Sequence, residues 1–94
     1  ETAEAVSSLG SIYRRQGKPA EAIPRFKEAL AIIRTTGRRT PVVTYLTNLA
    51  RAEYETGLLE DALGHIEEAI ALTETIRENL LDSGNRLTFT AKEQ

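Results

Sequence analysis

Residues 9–32, LGSIYRRQGKPAEAIPRFKEALAI, are written a second time as residues 49–72, LARAEYETGLLEDALGHIEEAIAL. A shift of 40 residues pairs Leu9 with Leu49, Gly17 with Gly57, Ala22 with Ala62, Glu28 with Glu68, Ala29 with Ala69 and Ala31 with Ala71. Further pairs keep apolar character without identity: Val6/Leu46, Ile23/Leu63, Phe26/Ile66, Leu30/Ile70 and Ile32/Leu72. A fixed period of this length marks a repeat array, in which each unit buries its apolar face only by stacking on a neighbour. The shared positions are mostly apolar or small, so the repetition specifies a stackable shape. Any local function falls to positions where the copies differ: Ser11 against Arg51, Arg14 against Tyr54 and Arg15 against Glu55.

Helical spacing runs through both copies. Val6, Leu9, Ile12 and Tyr13 place apolar groups on one stripe of a helix over 3–16, with Gly10 on the packed side. Gly17 ends that helix and Pro19 opens the next, whose stripe is Ala22, Ile23, Phe26, Ala29, Leu30 and Ile33. Pro24 and its counterpart Gly64 are poor helix formers and belong on the outer surface. Gly37 closes the second helix. Thr40–Pro41 predicts a capped start for a third helix over about 41–56, with Val42, Leu46, Leu49, Ala50 and Glu53 on its stripe. The fourth helix, from about 59, carries Ala62, Leu63, Ile66, Ala69, Ile70 and Thr73, and its pattern continues through Ile76, Leu80 and Leu81. Asp82-Ser83-Gly84-Asn85 predicts a turn before a short last helix. No segment reads as a strand.

With 94 residues the chain is expected to be one domain, with 40% hydrophobic and 28% charged residues, an ordinary soluble composition. The net charge of −2 exerts no global pull toward nucleic acid or an anionic membrane. It is unevenly divided. Residues 1–40 hold eight basic and four acidic side chains (+4), and residues 41–94 hold four basic and ten acidic (−6), a polarity that favours head-to-tail contacts in an array or an orientation preference for a partner. Cysteine is absent, which excludes disulfides, thiolate metal sites and a cysteine nucleophile. No run reaches the length of a membrane span and no signal-peptide pattern opens the chain, so the expected location is cytoplasmic. Methionine is also absent, and the expectation is a piece of a longer protein.

Leu9-Gly10, Tyr13, Gly17, Ala22, Phe26 and Ala29 match the L-G, Y, G, A, F and A positions of the tetratricopeptide repeat family, which the chain resembles. The second copy keeps Leu49, Gly57, Ala62 and Ala69, with Ala50, Glu53 and Ile66 at the other marks. Val6 stands at the opening tryptophan position, and Arg34 and Glu74 stand at the closing proline position. The period exceeds the family's usual one, which implies longer second helices. The resemblance implies an all-α fold, an α-solenoid of two antiparallel helical hairpins plus a short terminal helix. The expected divisions are repeat 1 over 3–40, repeat 2 over 41–82 and a capping or truncated helix over 83–94. The tail, Arg86-Leu87-Thr88-Phe89-Thr90-Ala91 and Gln94, resembles the end of bacterial tetratricopeptide arrays that precede a CHAT peptidase-like domain. The usual string there is close to L-R-x-S-Y-F-A-x-x-Q; Asn85 and Thr90 depart from it. This second resemblance implies a regulatory or recognition arm, with any catalytic His and Cys lying outside the chain.

The residues argue against catalysis by the chain itself. His65 is the only histidine and has no second ligand at a metal spacing, so it is expected on the solvent side of its helix. Ser7, Ser8 and Ser11 have no nucleophile motif around them, and the adjacent carboxylates Glu60-Asp61 and Glu67-Glu68 point to different helix faces. No phosphate loop is present, and no metal or cofactor is expected. The basic residues Arg14, Arg15, Lys18, Arg34, Arg38 and Arg39 lack interleaved aromatics, which argues against nucleic acid.

Binding is the function that remains. The resemblance implies a concave groove lined by the first helix of each repeat, which takes a peptide or protein segment. Carried onto this chain, its positions are Glu4, Ser7, Ser11, Arg14 and Arg15, then Thr44, Thr47, Asn48, Arg51, Tyr54 and Glu55. Such a polar groove suits an acidic or polar segment held by charge-assisted hydrogen bonds. The clamp that grips chaperone C-termini needs lysine and asparagine where Ser7 and Ser11 stand, and is excluded. The alternative is a self-association or regulatory arm of a larger enzyme or transcriptional regulator, with homo-oligomer contacts through exposed array ends.

Overall fold

Three glycines with positive φ divide the chain into four helices. Gly17 (φ 78°), Gly37 (φ 73°) and Gly57 (φ 84°) occupy the three links between α1 (Ala3–Arg15), α2 (Pro19–Arg34), α3 (Arg39–Glu55) and α4 (Leu59–Glu93). The computed structural model describes the backbone of residues 2–93 and the side chains of residues 2–83. The all-α architecture expected from the repeat is present: every regular element among the described residues is a helix.

The two links that correspond across the shift are built alike. The Lys18 amide donates to the Tyr13 carbonyl (2.9 Å) and the Gly17 amide to that of Arg14 (3.0 Å). Leu58 and Gly57 repeat this with Glu53 (2.8 Å) and Tyr54 (3.1 Å). These paired bonds satisfy carbonyls that the end of a helix would leave open, and they require a left-handed residue that glycine supplies without a Cβ clash. At the end of α2 the hydroxyls of Thr35 and Thr36 donate to the carbonyls of Ile32 and Ile33, both at 2.7 Å.

The helices pack in chain order, α1 on α2, α2 on α3 and α3 on α4, with α1 also touching α3. One core runs through the stack, centred on Val6, Phe26, Ala29, Leu46, Leu49 and Ala52. Phe26, 1% exposed, presses its ring against Gly10; a Cβ there would stand 2.8 Å from Phe26 Cε1. Burying a ring of this size contributes about 1.5–3 kcal/mol, so Gly10 permits a substantial contact. The stripes of α2 and α3 are as expected. The α1 stripe is rotated: Ala3, Val6, Ser7 and Gly10 are buried, Leu9 and Tyr13 half-buried, and Ile12 is 44% exposed.

Two helix ends differ from expectation. Thr40 does not cap α3, which begins at Arg39 with no side-chain cap bond. Pro41 is its third residue, still in the first turn, where a missing N–H removes no intrahelical bond. The turn expected over Asp82-Ser83-Gly84-Asn85 is absent, and α4 continues as one helix to Glu93. Glycine in a helix costs about 1 kcal/mol relative to alanine but removes no hydrogen bond, and no proline follows Pro41 to break the ladder. The expected terminal helix is thus the continuation of α4. The tail side chains on which the CHAT resemblance rests, Arg86 to Gln94, lie outside the described residues.

Pro24 and Gly64 are exposed, on the outer surface as expected. On α1, Thr2 Oγ1 accepts from the Ala5 amide (3.1 Å), a cap the residue pattern had not singled out. Such caps contribute about 1 kcal/mol.

Candidate functional site

The first helices, α1 and α3, are tied together at their C-terminal ends. Arg14 donates from Nε to Glu55 Oε1 (2.7 Å) and from NH2 to Glu55 Oε2 (3.1 Å), a two-point guanidinium–carboxylate pair. Both side chains are partly exposed, 28% and 37%, so the pair contributes under about 1 kcal/mol. Its main effect is positional. It joins two of the residues predicted for the groove, and in doing so engages Arg14 with Glu55.

The other predicted groove residues divide by environment. Ser7 is buried at 7% exposure and does not face a ligand, contrary to expectation. Its helix is rotated so that residues 3, 6, 7 and 10 form the packed face. Ser11 and Asn48 are half-buried, while Glu4, Arg15, Thr44, Arg51 and Tyr54 are exposed. Thr44 and Thr47 donate their hydroxyls to the Thr40 and Val43 carbonyls at 3.4 and 2.9 Å. On α3, Thr44, Asn48, Arg51 and Glu55 follow a spacing of three or four residues and therefore share one face. Arg15 and Arg51 are the groove arginines without a carboxylate partner among the described residues.

A second feature adjoins this face. Thr47, Arg51 and Tyr54 form one wall of a cleft of about 450 Å³ whose other wall is α4, through Leu59, Leu63 and Ile66. Ala50 and Ala62 line it as well. It continues along α4 into a smaller hollow of about 220 Å³ beside Ile70, Thr73 and Arg77. Leu63 (59% exposed) and Ile70 (54%) were expected in the core, yet they lie open. Only Ala62 and Ala69 of that α4 stripe are buried. The cause is geometric: the residues equivalent to Leu63 and Ile70 in the first copy are covered because α3 follows them.

His65 is the second correction. Its Nδ1 lies 2.7 Å from Glu53 Oε1, and the Glu53 side chain is 1% exposed. The histidine is therefore a partner for a buried carboxylate and not a free solvent-side residue. Glu53 holds the position of Tyr13 in the first copy. A carboxylate on an apolar stripe is itself the signal that a polar partner must lie across the hairpin.

Charge also links the second helices: Arg34 NH2 lies 2.8 Å from Glu68 Oε2. Of the basic residues, Arg14 and Arg34 each face a carboxylate. Among the described residues no group of three or more His, Cys, Asp or Glu side chains is placed to hold a metal ion. Among the described residues no helix is long and apolar enough to cross a membrane.

A family model described as tetratricopeptide repeat matches residues 1–75. No curated protein and no solved structure matches the chain.

Proposed function

Because the chain belongs to the tetratricopeptide repeat family, whose repeats are generally protein-interaction modules, we propose that it binds an acidic or polar peptide segment along the adjoining faces of α1 and α3. The observation that carries this reading is the Arg14–Glu55 pair. It holds the first helices side by side while Arg15 and Arg51 stay exposed and without a carboxylate partner among the described residues. A guanidinium with free donors is suited to carboxylates, which it meets with two parallel bonds. Tyr54, 69% exposed, adds a flat apolar surface with a polar tip beside Arg51. Asn48 supplies both a donor and an acceptor for an extended backbone.

The test is titration of a fluorescein-labelled, Asp/Glu-rich extended peptide followed by anisotropy. Arg15→Glu combined with Arg51→Glu is expected to weaken binding at least roughly tenfold, in line with loss of two charge-assisted contacts. Arg25→Glu is the control, because Arg25 lies on α2 and faces Glu28 (3.4 Å). Equal losses in the double variant and the control would overturn the groove assignment.

A further inference from the structure

We propose that the open α3–α4 face docks α1 of a second copy of the chain, head to tail, as α3 docks on α1–α2 within one copy. The internal repeat supplies the template. Leu30, on the helix against which α3 packs, is 6% exposed, whereas its equivalent Ile70 is 54% exposed. Ile23 is half-buried, whereas its equivalent Leu63 is 59% exposed. The same backbone scaffold therefore presents a covered face in the first copy and an uncovered one in the second.

The complementary surface is on α1. The α3 residues Tyr45, Leu49 and Ala52 are buried at 7%, 1% and 0%. Their equivalents across the 40-residue shift are Ala5, Leu9 and Ile12, of which Ala5 and Ile12 are exposed and Leu9 is half-buried. The α3–α4 face thus offers an apolar groove, and α1 offers a helix stripe of matching spacing. Association of unlike surfaces is heterologous and can propagate.

Charge favours this occupant over a symmetric pairing of two α4 helices. Residues 1–40 carry +4 (eight basic, four acidic) and residues 41–94 carry −6 (four basic, ten acidic), so head-to-tail contact sets opposite signs together. Two α4 helices face to face would set acid against acid. In the template register, the Arg14–Glu55 contact becomes Tyr54 against Arg15 of the second copy, a ring beneath a guanidinium. The Arg34–Glu68 contact becomes Glu74 against Glu28 of the second copy, an opposed pair. The junction is accordingly weaker than the one inside the chain and depends on concentration.

Sedimentation equilibrium across micromolar to millimolar chain concentration tests this. Concentration-dependent association is expected, and Glu74→Arg, which replaces the opposed pair by a matched one, tightens it roughly threefold to tenfold. Leu63→Glu and Ile12→Glu alter exposed positions, so each chain should keep the helical circular dichroism of the parent. Each variant alone is expected to be monomeric, and an equimolar mixture of the two is expected to form a 1:1 heterodimer, because each retains the surface the other has lost. A strict monomer at every concentration would overturn the proposal. So would an Ile12→Glu chain that associates as tightly as the parent, which is the signature of a symmetric α4 contact.

Discussion

His65 Nδ1 lies 2.7 Å from Glu53 Oε1, joining α4 to a carboxylate that α3 has carried into the core. Removing His65 alone leaves that carboxylate buried without its partner, the costly half of breaking such a pair. His65→Ala removes the hydrogen-bond partner of a buried group and is expected to lower stability by about 1–3 kcal/mol. Adding Glu53→Leu removes the unpartnered polar group and should recover most of the loss. Urea denaturation of the two single variants and the double variant measures the coupling, and additive effects would show that the contact is not a coupled pair.

Two glycines within helices predict opposite signs for the same substitution. Gly10→Ala puts a methyl 2.8 Å from the Phe26 ring, an overpacking cost of about 1–3 kcal/mol. The gain in helix propensity, about 1 kcal/mol, offsets only part of it. Gly64 has nothing within 4 Å of its would-be Cβ, so Gly64→Ala keeps the propensity gain. Thermal unfolding should therefore show Gly10→Ala below the parent and Gly64→Ala above it.

Glu55 restrains a groove arginine, which makes the proposed peptide site testable by gain of affinity. Glu55→Gln removes the carboxylate that holds Arg14 and leaves an arginine on the α1–α3 face free to meet an acidic peptide. Affinity for the labelled Asp/Glu-rich peptide is expected to rise by roughly twofold to fivefold, on the scale of an exposed ion pair. An unchanged affinity would place the peptide away from Arg14.

The three links between the helices were legible because their signals are local. Gly17, Gly37 and Gly57 each act through their own backbone, and Pro19 opens α2 without reference to distant residues. The site was less legible, since exposure belongs to the neighbour as much as to the residue. Leu30 and Ile70 read alike in sequence, and only the presence of α3 over the first separates them. Ser7 was misplaced for the same reason: a small rotation of α1 moved it from the groove into the packed face. The Glu53–His65 contact spans twelve residues and crosses a hairpin, so its partner could not be named from helical spacing within one element.

The continuity of α4 through Gly84 yields the last prediction. If residues 82–85 formed the turn that Asp, Ser, Gly and Asn favour, Gly84→Ala would oppose the turn and leave the helix content unchanged or lower. In a continuous helix the same change removes a residue that costs about 1 kcal/mol relative to alanine and strengthens propagation on both sides. Circular dichroism at the helix band is expected to increase for Gly84→Ala and to fall for Gly84→Pro, which deletes an amide and clashes with the carbonyl four residues earlier. The proline effect should be confined to the distal part of α4: among the described residues the buried core, from Ala3 to Ala69, lies upstream of the break, so the unfolding midpoint of the packed helices is expected to stay near that of the parent. A cooperative loss of the whole fold with Gly84→Pro would mean that the distal helix is packed on the core.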